Sequence, residues 1–252
     1  MHGKYYSKTI SPDLDASLFN AACGGTDILF DWQEILIPTG SCNLKSLSAI
    51  VQGINAGTGN DADFRLYFAK SIDGVAPATF GTTHAANTVA ITSTFRRNIL
   101  GFLFVDASTV DDVDTLKCYN VVGSRFGVTN NRPDDFILQG EPHGTRAGFS
   151  SVYVAGIAAG AAFDFGTDCD LNDASHVAAS TAPVQITTSG TDPRNCFQPG
   201  DILAGETGTV TMEVVSVDSA TTMTVKDVSA QIDHQEQLIL QNPMVFHFGF
   251  EY

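Results

Sequence analysis

The sequence predicts an all-β protein: a β-sandwich, jelly-roll-like, with a small SH3-like β-barrel module inserted near the C-terminus. Three observations predict it. Short apolar runs with period-two alternation recur along the 252 residues, separated by glycine, proline, asparagine and aspartate turns. Charged residues make up only 16% of the chain, beside 23 Gly and 17 Phe, which suits short strands and tight turns. The closing segment sets Met244, Phe246, Phe248, Phe250 and Tyr252 on one face and Val245, His247, Gly249 and Glu251 on the other.

Residues 1–27 read as an N-terminal arm, with Tyr5, Tyr6, Leu18 and Phe19 as apolar anchors for a partner surface among Ser, Pro, Gly and Asp. A first strand tucked along the same domain fits the same residues. Strand signals begin with Ile28, Phe30 and Trp32, continue through Ile35 and Ile37, and stop at Pro38-Thr39-Gly40. Leu44 to Gly53 alternates imperfectly. Phe64, Leu66 and Phe68 share one face of the next strand, with Arg65, Tyr67 and Lys70 partly outside. Residues 71–98 read as a long surface loop. Ile99 to Val105 is an apolar run, and Leu116–Val122, Asp135–Leu138 and Ser151–Ala155 are its companions. Ser108–Asp114 reads as a short helix capped by Ser108.

From Pro183 a compact β module begins. Pro199-Gly200 turns the chain into Ile202-Leu203, and Val210–Val217 returns through Asp218-Ser219-Ala220-Thr221 to Thr222–Val225. In that hairpin Val215 and Val217 are expected to share a face with Met223 and Val225. The closing Phe-rich strand needs more cover than a small module offers, since each large side chain contributes about 1.5–3 kcal/mol when buried. The expected division is therefore 28–180 and 241–252 for the sandwich and 181–240 for the inserted barrel.

The net charge of −15 excludes the usual basic footprint of a nucleic-acid or anionic-membrane partner. Cys23, Cys42, Cys118, Cys169 and Cys196 are odd in number and widely spaced, so reduced thiols are the plain reading. The first residues have no apolar core of the signal-peptide kind, which predicts a soluble, unexported protein.

Candidate chemistry is sparse. Asp61/Asp63 and Asp168/Asp170 could offer oxygens to a metal, but the second cluster lacks the glycine and glutamate of a calcium loop, and solvated turns are the plainer reading. His143, in Glu141-Pro142-His143-Gly144, reads as a turn residue bonding the backbone rather than as a base. Trp32 could line a sugar groove, with core as the plainer reading. No catalytic, cofactor-binding or metal residue is expected, and no cofactor.

Ordered segments across the whole chain resemble a family of virion structural proteins from large tailed phages of marine cyanobacteria. They are Tyr5-Tyr6-Ser7-Lys8-Thr9-Ile10, Leu29-Phe30-Asp31-Trp32, Asp63 to Ser71, Glu141-Pro142-His143-Gly144, Val152 to Gly156, Pro199 to Leu203, Val214 to Thr221 and the closing strand. The resemblance implies a non-enzymatic particle component. Acidic charge and low charge content then point to a capsid decoration (cement) protein on the head exterior, made in the host cytoplasm. Its expected partners are the major capsid protein or other virion subunits and further copies of itself, a trimer at local threefold positions. A neck, tail or baseplate protein and a receptor- or carbohydrate-binding module are the alternatives.

Overall fold

The structure, a computed structural model, describes residues 4–14, 24–52, 62–83, 93–113, 116–122, 136–160, 163, 165, 169–172, 178–206, 210–231 and 236–252. It is all-β and antiparallel throughout. The helical pieces among these residues are single 3-10 turns at Ser93–Arg97, Ala107–Thr109 and Pro193–Asn195.

Two sheets face each other across one core. In the first, β1 (Tyr5–Ile10), β17 (Met244–Glu251), β3 (Cys42–Gln52), β7 (Leu116–Val122) and β6 (Val110–Val113) lie in that order, with β8 (Ile137–Leu138) also on β3. The second runs β2 (Ile28–Pro38), β10 (Phe149–Ala158), β4 (Phe64–Lys70), β5 (Ile99–Val105), with β9 (Glu141–Pro142) on β10. Alternation dictates which side chains meet between them. Phe64, Leu66 and Phe68 from β4 face Phe246, Phe248 and Phe250 from β17, all buried. Phe30 packs on Phe246 with ring centroids 5.4 Å apart, and Phe68 meets Phe248 edge-on at 6.0 Å.

The last strand departs from its expected pattern at one residue. Met244, Phe246, Phe248 and Phe250 are buried, but Tyr252 is 46% exposed, beyond the end of β17 where it still bonds Lys4 through the backbone. The imperfect alternation of β3 also has a cause. Phe250 pairs with Leu44 and Gly249 with Ser46, so Lys45 is the extra residue of a bulge.

A third sheet forms the second module, in the order β11 (Cys169–Leu171), β12 (Val184–Gly190), β15 (Thr222–Lys226), β14 (Thr211–Val217), β13 (Ile202–Gly205), β16 (Leu238–Leu240). It is nearly closed: Asp170 bridges Gln237, and the Leu171 amide donates to the Glu236 carbonyl at 2.9 Å. The sheet thus begins at Cys169, twelve residues upstream of the expected boundary at 181. Three residues with an acidic centre carry too little period-two signal to be seen alone.

Three further expectations are corrected. The hairpin register shifts between Val214 and Ser216, so Val214 opposes Val225 and Val215 is left in the bulge, 37% exposed. In place of a helix over Ser108–Asp114, the chain makes one 3-10 turn and enters β6, which pairs with β7. Asp106 caps that turn, accepting from the Ser108 amide at 2.8 Å. Residues 72–83 and 93–98 are not simply surface loop. Phe80 and Phe95 fold back onto the outer face of the second sheet and are buried.

Candidate functional site

Polar side chains come first, because they would carry any chemistry. Glu141 accepts from the Asp73 and Gly74 amides, both at 2.8 Å, and these bonds hold its carboxyl below the usual range. Asp73 sits in a left-handed turn at φ 54°, so the carboxylate pins an unfavourable backbone conformation. Asp31 accepts from the Phe80 and Trp32 amides and from Thr79 Oγ1, at 2.6–2.7 Å, tying the 72–83 segment to β2. Asp218 accepts from Ser216, Gln185 and Thr224 side chains, which lower its pKa. Asp63 accepts from the Ala107 amide at 2.7 Å.

His143 holds its own turn. Nδ1 accepts from the Thr145 and Arg146 amides at 3.1 and 3.0 Å, while Nε2 lies 3.9 Å from Glu34. Trp32 is half-buried between Phe80 and Phe95, at ring distances of 4.8 and 6.1 Å, and its Nε1 donates to the Ala78 carbonyl. Asp61 and Asp168 lie outside the described residues. Among those described, no three His, Cys, Asp or Glu side chains converge as a metal site would require.

Cys42, Cys118, Cys169 and Cys196 are reduced thiols, and all but Cys118 are buried. Cys169 is pushed up to about 12 by burial and then by the nearby Cys196, so it is an inert thiol at neutral pH. Cys42 is raised by burial too.

A cleft of about 530 Å³ lies where the two modules meet. The sandwich contributes Ile50, Gln52, Leu116 and Val245, and the second module contributes Phe197, Asp201 and Ile202. Gln52 Nε2 donates to the Cys196 carbonyl across the junction. Asp201 is the one carboxylate among the described lining residues. Burial raises its pKa, opposed by the Gln198 amide that donates to it at 2.8 Å. A single carboxylate held by a turn amide supplies no facing pair for hydrolytic acid–base work.

The remaining features are surfaces. Tyr5, 75% exposed, stands on the outer face of β1. Tyr6 points inward, 6.4 Å from Phe250 and 6.0 Å from Phe149. Of the two readings of this segment, Tyr5–Ile10 takes the strand: it pairs along β17 from Tyr5 opposite Glu251 to Ile10 opposite Phe246. Leu14 further on is fully buried. Leu18 and Phe19 lie outside the described residues.

A second surface, not singled out from the sequence, runs across the outer face of the other sheet. Phe80 packs on Tyr67 at 5.5 Å and Tyr67 on Phe102 at 5.6 Å, reaching the edge strand β5. The uncharged run Ile99–Val105 was its visible signal.

No protein-family model matches the chain, and no curated protein matches it.

Proposed function

We propose that this chain is a non-enzymatic structural protein of a tailed-phage virion, a decoration protein bound to the outside of the head shell. One observation carries the proposal beside the sequence resemblance. Glu141, Asp31, Asp63 and His143 are committed to the protein's own backbone amides, whereas sheet edges and aromatic side chains such as Tyr5 are left exposed. Groups spent on backbone amides build a scaffold, and open strand edges and exposed rings build contacts.

The edge formed by β1 and the chain end at Tyr252 is the surface assigned to the major capsid protein or a neighbouring virion subunit, with Tyr5 as its exposed anchor. In this proposal the two-sheet body is a jelly-roll-like sandwich and the second module an SH3-like barrel. The charge of −15 favours the shell exterior over a DNA-facing wall, because phosphates repel it.

Intact virions separated into heads and tails, with the protein quantified in each by mass spectrometry, test the assignment. Hundreds of copies following the heads are expected. A dozen or so following the tails would move the protein to the neck, tail or baseplate.

A further inference from the structure

The sequence contains one Asp-Gly pair, Asp73-Gly74, and no Asn-Gly pair. The pair forms the two central residues of a tight hairpin. Ile72 and Val75 exchange backbone hydrogen bonds at 3.0 Å in both directions, and Asp73 and Gly74 stand at φ 54° and 76°. Positive φ at both central residues defines a type I′ turn, which favours Asp-Gly. The turn is exposed to solvent, yet its two amides are engaged. The Asp73 amide donates to Oε1 of Glu141 and the Gly74 amide to Oε2, both at 2.8 Å, so one carboxylate from β9 closes over both.

We propose that Asp73-Gly74 is a site of spontaneous aspartate isomerisation, and that Glu141 holds it shut in the folded protein. The reaction needs no reagent but water. The Gly74 nitrogen attacks Cγ of Asp73: an N–C bond forms, a C–O bond breaks, and the hydroxyl leaves with the amide proton as water. Water then opens the succinimide ring at the former backbone carbonyl. The chain afterwards runs through the side-chain carboxyl, and the old backbone carbonyl ends as a free carboxylate. Asp-Gly is the sequence most open to this closure, because glycine has no side chain to crowd the attacking nitrogen.

Two features of the Glu141 contact oppose the first step. The nitrogen attacks through the orbital that holds its proton, and that proton is directed at Glu141 Oε2 rather than at Asp73 Cγ. Losing the proton would also leave negative charge on nitrogen beside a carboxylate, which like charge disfavours. Isomerisation therefore waits for the turn to lift away from Glu141. Once made, the change is not reversed by refolding, because the added backbone methylene lengthens a hairpin built for two central residues. The segment that follows the turn carries Phe80 to its buried place against Trp32, so the damage reaches the outer face of the second sheet. The inference does not depend on which part of a particle the protein occupies.

Ageing of the purified full chain at neutral pH tests the guard, with isoaspartate at each site read by peptide mapping and by methylation with an isoaspartyl methyltransferase. The folded wild type is expected to accumulate isoaspartate at residue 73 slowly, and the same chain in denaturant quickly. Glu141→Gln is expected to accumulate it about tenfold faster than the folded wild type, since a bond to a charged acceptor is lost. Asp218-Ser219, whose carboxylate accepts from three side chains, is the internal control, and its rate is expected to stay unchanged in Glu141→Gln. Asp73→Asn gives an independent reading: its succinimide releases ammonia, so the reaction shows as a mass change, slow in the folded chain and fast in denaturant. A folded wild type that isomerises at residue 73 as fast as the denatured chain overturns the proposal. So does a Glu141→Gln rate at or below that of the wild type, or an equal acceleration at Asp218, which would mark general loosening in place of a local guard.

Discussion

At the scale of single residues, this protein uses carboxylates as internal fasteners. Glu141 receives two backbone amides from a turn whose Asp73 has positive φ, and ionisation strengthens both bonds. Its folded pKa lies below the unfolded value. The stabilisation is therefore complete above the unfolded pKa and lost as the pH falls through the folded one. Glu141→Gln removes the charge and one acceptor at nearly constant shape. The variant is expected to melt below the wild type at neutral pH, with the gap closing as the pH drops through the carboxylate range. Melting curves from neutrality to acid check this, and a gap independent of pH would show that the charge contributes nothing. Gly156 is constrained in another way: a Cβ there would sit 2.4 Å from the Phe30 ring, where β10 and β2 slip register.

At the scale of elements, β17 shows what alternation can and cannot reveal. Phe248 touches Phe246 and Phe250 along its strand, at 6.3 and 6.2 Å, and Phe68 from the opposing sheet. Truncating a buried Phe costs about 3–5 kcal/mol, so Phe248→Ala is expected to lower the urea midpoint by that equivalent. Tyr252→Ala, at an exposed position, is expected to change stability by less than about 0.5 kcal/mol. Equal effects would mean the two residues share one environment. The inward face of β17, like that of β4, was legible because both strands are long and regular. The rest was hidden for physical reasons. The β14 bulge trades Val215 for Val214 with no change in composition. Phe80 and Phe95 reach Trp32 from residues far along the chain, so their loop looked exposed. No candidate site was legible beyond Tyr5 and Tyr6, whose opposite orientations follow from the period-two alternation of β1.

At the scale of the whole molecule, one three-residue strand belongs to both modules. β16 pairs with β13 in the second module, where Leu238 and Leu240 enter that module's core. Ile239, between them, points the other way and is buried in the sandwich core. A strand with period-two alternation thus divides its side chains between two cores, and neither core can open fully without disturbing it. The chain then runs through Gln241, which accepts from the Leu14 amide at 3.1 Å and donates to the Ile202 carbonyl at 2.9 Å, directly into β17. Both modules are therefore expected to unfold as one cooperative unit. Hydrogen exchange should report the same opening free energy for protected amides in β3 and β17 as in β14 and β15. Ile239→Ala should cost about 2–5 kcal/mol and lower protection in both sets. If only the sandwich amides responded, the modules would be independent bodies on a tether, and a particle partner holding one would leave the other unstabilised. If both respond, a contact made at β1 stiffens the second module as well, because binding to the folded state raises the stability of every element that unfolds with it.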